Sequence, residues 1–329
     1  MQRSETVQPE DNMIRITDAA ALPAEDCAVT IGKFDGIHRG HQVLIDAVKD
    51  AARREGLKTV VFTFAVSPKT YLGTETEALM TQEEKEAYLE QERIDYLIEY
   101  PFTDEVRHMD AEAFAERALI FGLHMKYLAV GTDFCFGYKR QGNCTLLKTL
   151  SEKYHFRLEI FSKLKYNGKD ISSSLIRTEI RSGHMEDAAA MLGRPYGFGG
   201  IVEHGKSLGH TIGFPTLNLC PPDTRVLPPR GVYFASVRID GNEYCGVANL
   251  GIQPTVSSHR LLLEIYVLDF DRMIYGASVW ADLLKFHRPE RRFDGIEALS
   301  EQLKRDTADC VRFFEERRAD ERKRNASQG

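Results

Sequence analysis

Two histidines three positions apart, His38 and His41, stand with Gly40 between them at the end of the apolar run Ala28, Val29, Ile31 and ahead of Val43, Leu44, Val48 and Ala51, which recur at helical spacing. The stretch from Thr30 to Gln42, T-I-G-K-F-D-G-I-H-R-G-H-Q, is therefore expected to be a strand-to-helix turn. A new helix aims unpaired N–H groups and the positive end of its dipole at whatever lies beyond the strand, and phosphate suits that place. Imidazoles at this spacing share one face and can donate to phosphoryl oxygens as charge builds in an in-line displacement. The glycine keeps a Cβ out of the phosphate's path. Read alone, H-x-G-H fits a surface helix start equally well.

Other residues invite similar readings. Ile171-Ser172-Ser173-Ser174-Leu175-Ile176-Arg177 offers hydroxyls at a helix start with an arginine one turn on, which is ordinary N-cap chemistry or a clamp for a triphosphate tail. Asp133, in Gly131-Thr132-Asp133-Phe134-Cys135-Phe136-Gly137, reads by itself as a loop-capping residue at a strand end. Glu264 lies in the apolar strand Leu261-Leu262-Leu263-Glu264-Ile265-Tyr266-Val267-Leu268, where alternation makes it either an inward catalytic group or an outward surface one. Gly200, Gly205, Lys206 and Ser207 satisfy G-x-x-x-x-G-K-S, but the glycine-broken L-G-H-T-I-G that follows is no helix, so a P-loop is rejected.

The longer strings resemble one family. Gly32, Phe34, Asp35, Gly36, His38, Gly40 and His41 match the G-x-F-D-G-x-H-x-G-H signature of the adenylyltransferase half of bacterial FAD synthetases, members of the HxGH nucleotidyltransferases. The Asp133, Phe134 segment resembles that family's G-x-D-F-x-F-G, and Ile171 to Arg177 its I-S-S-T-x-I-R, with Ser174 keeping the hydroxyl of the usual threonine. Gly205, Gly209 and Gly213, leading into Phe214-Pro215-Thr216-Leu217-Asn218-Leu219, resemble the H-G-x-x-x-G-x-x-x-G-F-P-T-A-N-L of bacterial riboflavin kinases, and Glu264 to Asp271 is similar to their E-x-H-L-x-D-F-D.

The resemblance implies a bifunctional enzyme. Its C-terminal half would phosphorylate riboflavin with MgATP to FMN, and its N-terminal half would transfer AMP from a second ATP to FMN, giving FAD and pyrophosphate. It also implies roles: His38, His41 and Glu264 catalytic; Gly32, Phe34, Asp35, Gly40, Ser173 and Arg177 on nucleotide phosphates; Asp133 and Phe134 at the flavin and nucleotide site; Gly205, Gly209 and Gly213 on the kinase's ATP; Thr216 and Asn218 on Mg²⁺, for which a hydroxyl and an amide oxygen are suitable hard donors. Some positions depart. Thr63-Phe64-Ala65-Val66-Ser67-Pro68 stands where the family has F-x-P-H-P, and Leu217, Gln253, Tyr266 and Arg272 replace its alanine, arginine, histidine and glycine. The alternative is a riboflavin kinase with a degenerate nucleotide-binding N-terminal half.

The elements that must carry these groups are legible. Helix Gln42 to Arg54, strand Thr59 to Phe64, a Thr81/Glu84 capping box ahead of a helix to Gln91, strand Tyr96 to Tyr100, a helix from Ala111 to Gly122 and strands at Tyr127 to Gly131 and Arg157 to Phe161 alternate as in a parallel sheet, which binds ligands beyond its carboxyl ends. The expected fold is α/β, with a Rossmann-like nucleotidyltransferase domain over residues 26–184 behind a flexible lead-in of 1–25 that carries one edge strand around Ile14 and Ile16. After the short helix Met185 to Leu192, residues 185–329 read as an antiparallel β-barrel of strands near Gly231 to Ile239, Asn242 to Asn249, Leu261 to Asp269 and Ser278 to Phe286. A long amphipathic helix (Ile296, Leu299, Leu303, Val311, Phe314) then packs on the barrel, and the last eleven residues are expected to fray.

The 329 residues suit two domains, and 43% hydrophobic with 28% charged content is ordinary for a globular chain. A net charge of -6 argues against a nucleic-acid partner. With no long apolar run, a polar N-terminus and six scattered cysteines lacking any C-x-x-C, the expectation is a cytoplasmic protein with free thiols and no membrane partner.

Overall fold

The computed structural model describes residues 12–65, 71, 73, 77–204, 214–254 and 259–326. Contacts divide the chain into two units, Met1–Ser173 and Ser174–Gly329, ahead of the change of texture near Gly183.

The first unit is a six-stranded, wholly parallel sheet in the order β1-β4-β3-β2-β5-β6. Its strands are β1 (Ile14–Ile16), β2 (Cys27–Ile31), β3 (Lys58–Phe64), β4 (Tyr96–Tyr100), β5 (Met125–Gly131) and β6 (Arg157–Phe161). All five residues of β2 are buried, as expected of a central strand covered on both faces. One face packs Val29, Phe62 and Leu128 on Phe114, Leu119 and Leu147; the other packs Ala28 and Tyr127 on Leu44 and Val48. Helix α1 (Arg39–Glu55) follows β2 and stops at Gly56, whose left-handed φ of 67° an L-residue would resist. Helix α2 (Gln82–Gln91) opens on the full Thr81/Glu84 capping box. Helices α3 (Asp104–His108) and α4 (Ala111–Phe114, widening into a π turn over Ala115–Ile120) precede β5, and α5 (Cys144–Tyr154) precedes β6. The chain leaves β2 toward β3 on one side and returns to β5 on the other, so the sheet changes direction beside the end of β2. A small hairpin, β7 (Lys165–Tyr166) and β8 (Lys169–Asp170), leads to α6 (Ser173–Arg181).

The second unit, after α7 (Met185–Leu192), is an antiparallel sheet ordered β10-β13-β12-β11-β14-β9. Its members are β9 (Tyr196–Ile201), β10 (Thr216–Leu219), β11 (Gly231–Ile239), β12 (Asn242–Pro254), β13 (His259–Val267) and β14 (Ser278–Pro289). Just past β9 the Glu203 N–H donates to the Asn218 carbonyl of β10 at 2.9 Å, an isolated bridge that draws the two end strands together and curls the sheet toward a barrel. Leu217, Leu263, Ile265, Leu250 and Tyr233 are buried on the inner face, while Val232, Phe234, Val247 and Leu284 point outward against Cys310 and Phe314 of α8 (Ile296–Ala326). Asp306 of α8, wholly buried, receives Nε (3.1 Å) and Nη2 (2.6 Å) of Arg288 and the amide of Gln302 (2.6 Å). The tail expected to fray is helical to Ala326, because it is rich in Ala, Glu, Arg and Lys and carries the spaced pairs Arg317/Glu321 and Lys323/Asp320.

Candidate functional site

In the first unit the turn after β2 is built from strained residues held by burial. Phe34 (φ 49°) and Ile37 (φ 36°) adopt the left-handed region although neither is glycine, at a cost of about 1–3 kcal/mol each. Both are fully buried, packed with Ile45 of α1 and with Met80 and Leu89 beside and on α2, and this burial offsets the strain. Asp35 is buried in the same turn. Its Oδ1 accepts the Leu79 N–H at 2.8 Å, and its carbonyl accepts the Ser173 hydroxyl at 3.0 Å, so this carboxylate fixes the loop ahead of α2.

His38 occupies the N-cap of α1, its carbonyl accepting from the N–H groups of His41 (2.7 Å) and Gln42 (3.0 Å). The His38 and His41 rings stack with centroids 3.7 Å apart and planes 14° from parallel, and Phe34 leans on His41 at 5.0 Å. A Cβ on Gly40 would sit 3.2 Å from two atoms of the His38 ring, so the glycine makes room for that ring, and a Cβ on Gly32 would crowd Phe34 at 3.3 Å. Burial, then the charges of His38 and Lys85, hold His41 well below the ordinary histidine range, which keeps the ring neutral near pH 7. Its Nδ1 is buried without a hydrogen-bond partner among the described residues.

Asp133, beyond β5, is exposed and pairs with Lys163 at 2.9 Å, while half-buried Phe134 stacks on Phe136 at 5.4 Å. Aromatic side chains that the sequence reading did not single out gather at the same sheet end. Phe64 closes β3 and meets Phe102 (5.1 Å) and Phe114 (6.0 Å); Tyr100 closes β4 and stacks on Phe62 (5.3 Å). Phe62, Tyr100 and Phe114 are buried in the core, and Phe64 and Phe102 are half-buried at its edge. Ser173 starts α6; Arg177, one turn along, is buried and falls within the second unit.

In the second unit the register sets one polar row. Asn218 of β10 pairs with Glu264 of β13, which pairs on its other side with Asn249 of β12, so the three side chains share a face. Leu263 and Ile265 fill the barrel, so Glu264 points to the outer face rather than inward, the orientation expected of a catalytic group, and there it shares the row of buried Asn218. Asn218 is buried and its Oδ1 has no partner among the described residues. Thr216, two residues earlier, lies on the same face, and Phe214 packs edge-on to Tyr266 at 4.9 Å. Asn249 was not singled out from sequence, since only the strand register brings it to Glu264. Gly200 lies within β9, whereas Gly205, Gly209 and Gly213, like Val66 to Pro68 of the departing segment and Thr255, fall outside the described residues.

A family model described as FAD synthetase matches residues 21–175, and one described as riboflavin kinase matches 192–314. The chain is 36% identical to a bifunctional riboflavin kinase/FMN adenylyltransferase of Haemophilus influenzae, over 92% of this chain and 99% of that one. It is 35% identical to proteins of the same description from Escherichia coli K12 (91% and 96% covered) and Bacillus subtilis (92% and 98%). A crystal structure from Streptococcus pneumoniae described as a macrolide-efflux protein superposes with a TM-score of 0.81 at 30% identity, covering 90% of this chain and 98% of that one. No helix among the described residues is long and apolar enough to cross a membrane. Matched along nearly its whole length, the chain belongs to the bifunctional riboflavin kinase/FMN adenylyltransferase family.

Proposed function

We propose that this chain carries out both reactions for which its family is named: phosphorylation of riboflavin to FMN, and adenylylation of FMN to FAD. The observation that carries the reading is that the stacked His38/His41 pair lies in one unit and the Asn218/Glu264 pair in the other.

In the transferase, an FMN phosphate oxygen attacks the α-phosphorus of ATP, the bond to the β-phosphate oxygen breaks, and pyrophosphate leaves. The start of α1 and the two imidazoles receive the charge that builds on the phosphoryl oxygens. His41 serves as a neutral N–H donor, since burial denies it a proton. Ser173, Arg177, Gly32, Phe34, Asp35 and Gly40 shape or bind the phosphate site, Asp35 by anchoring the turn. Phe134 and Asp133 receive the isoalloxazine ring, with half-buried Phe64 and Phe102 at the same sheet end. The domain limits at residues 26–184 and 185–329 belong to this reading.

In the kinase, Glu264 accepts the proton of the riboflavin hydroxyl as it attacks the γ-phosphorus of ATP, and ADP leaves. Thr216 and Asn218 would hold Mg²⁺. The fit rests on the Asn218 Oδ1, a hard oxygen buried without a partner among the described residues and beside a carboxylate. When bound, the ion neutralises charge on the ATP phosphates. Gly205, Gly209 and Gly213 are assigned to the same nucleotide by their motif. The six free cysteines agree with a reducing compartment such as the cytoplasm. A kinase with an inert N-terminal half is the weaker reading, because the departure near Ala65 leaves the histidine turn whole.

Single substitutions test the division. His41→Ala should lower FAD formation from FMN by about 100- to 1,000-fold and spare FMN formation. Glu264→Ala should do the reverse. If either change abolished both activities, the two-site reading would fail.

A further inference from the structure

Lys85 lies one turn into α2, its N–H bonded to the Thr81 carbonyl, and shares a helix face with Tyr88 and Leu89. That face packs on Phe34 and Ile37, the strained residues of the histidine turn, and the Asp35 bond to the Leu79 N–H pins the start of α2 there. Lys85 is therefore a half-buried residue of the helix that packs on the turn. The charged groups acting on it are Asp35, Glu99, Glu86 and Lys33, and it in turn acts on His41. Each of those carboxylates has another partner. Arg15 takes Glu99 (2.5 Å) and Glu86 (3.1 Å), while Asp35 receives the Leu79 N–H and lies 4.0 Å from Lys33. Lys85 itself makes no ion pair among the described residues. Burial pulls its proton affinity down, a cost that an arriving anion would reverse.

We propose that Lys85 is a phosphate-binding residue of the transferase, contacting the phosphate chain of ATP that departs as pyrophosphate. The inference rests on the proposed adenylyl transfer. As the bond between the α-phosphorus and its bridging oxygen breaks, the electron pair and the negative charge move onto pyrophosphate, and the ammonium stabilises that charge with no proton transferred.

The test compares wild type, Lys85→Met and Lys85→Arg in FAD formation from FMN, with inorganic pyrophosphate as product inhibitor. Lys85→Met should raise the KM for ATP and weaken pyrophosphate inhibition by a similar factor, about 10- to 100-fold, the worth of a charge-assisted hydrogen bond. Lys85→Arg, which keeps the charge, should recover most of both. FMN formation by the same preparations should match wild type and so report intact folding. Unchanged KM and inhibition in Lys85→Met would overturn the proposal, and so would an arginine variant as impaired as methionine. If wild type formed no FAD, the transferase reading would fail, and calorimetric titration with MgATP would then decide on Lys85: equal affinity of wild type and Lys85→Met for the first unit's site overturns it.

Discussion

Replacing Gly40 with alanine separates the geometry of the histidine pair from the stability of the fold. The new Cβ would lie 3.2 Å from both Cε1 and Nδ1 of His38, where ordinary carbon contacts are about 3.5–4.0 Å. The ring must therefore retreat by a few tenths of an ångström, and it cannot do so without disturbing its 3.7 Å stack on His41. A misplacement of about 1 Å costs on the order of 100-fold in rate, so a shift of less than half that should cost roughly tenfold. Stability moves the other way or not at all. Alanine in place of helical glycine gains about 0.5–1 kcal/mol, which the crowding offsets. We expect Gly40→Ala to form FAD from FMN roughly tenfold more slowly, with wild-type FMN formation and a urea midpoint equivalent to within about 1 kcal/mol. Full FAD formation would refute the reasoning, as would a large drop in stability.

Three further outcomes follow from the same structure. Because burial, then His38 and Lys85, depress the folded-state affinity of His41 for protons, the unfolded chain binds the extra proton below about pH 6.5, and stability should fall as pH drops through that point by up to about 1.4 kcal/mol per unit. His41→Asn should flatten that slope in urea unfolding between about pH 7.5 and 5.5, and an unchanged slope would count against a neutral His41. For Asp306, burial alone would raise its affinity for protons, but the bonds from Arg288 and Gln302 outweigh it and hold the carboxyl below the usual range. Its contribution is thus complete above about pH 4 and lost as pH falls further, and Asp306→Asn, which leaves Arg288 uncompensated, should cost about 3 kcal/mol in denaturant melts. Gly251→Ala would place a Cβ 2.3 Å from Oε1 of Glu290 and 3.2 Å from Nδ2 of Asn249; since Glu290 is the end of a flexible, partly exposed side chain, it should swing away at under about 1 kcal/mol, readable by thermal melting.

Local chemistry made much of this legible. The apolar run before His38, the Thr81/Glu84 box and the strand boundaries at Tyr96 to Tyr100 and Gly231 to Ile239 are short-range patterns, and the structure repeats them. What sequence left open is what only long-range packing decides. The side of the sheet on which Glu264 sits depends on register, and Asn249 joins it through strand pairing alone. Asp35 reads as a phosphate-site residue, yet its carboxylate acts on the Leu79 N–H, a contact that no spacing foretells. Lys85 and the aromatic cluster of Phe64, Tyr100 and Phe102 carry no motif, because they come together only when the strand ends of a parallel sheet align. The charged end of α8 read as frayed since it buries nothing, and is helical through propensity and spaced ion pairs.

The most direct measurement is a chromatographic time course of flavin species after the full chain is mixed with riboflavin, ATP and Mg²⁺. Two working sites predict FMN that rises first and then gives way to FAD, with FAD also forming from FMN supplied at the start. FMN that accumulates without FAD, even from added FMN, would contradict the account and reduce the chain to a kinase.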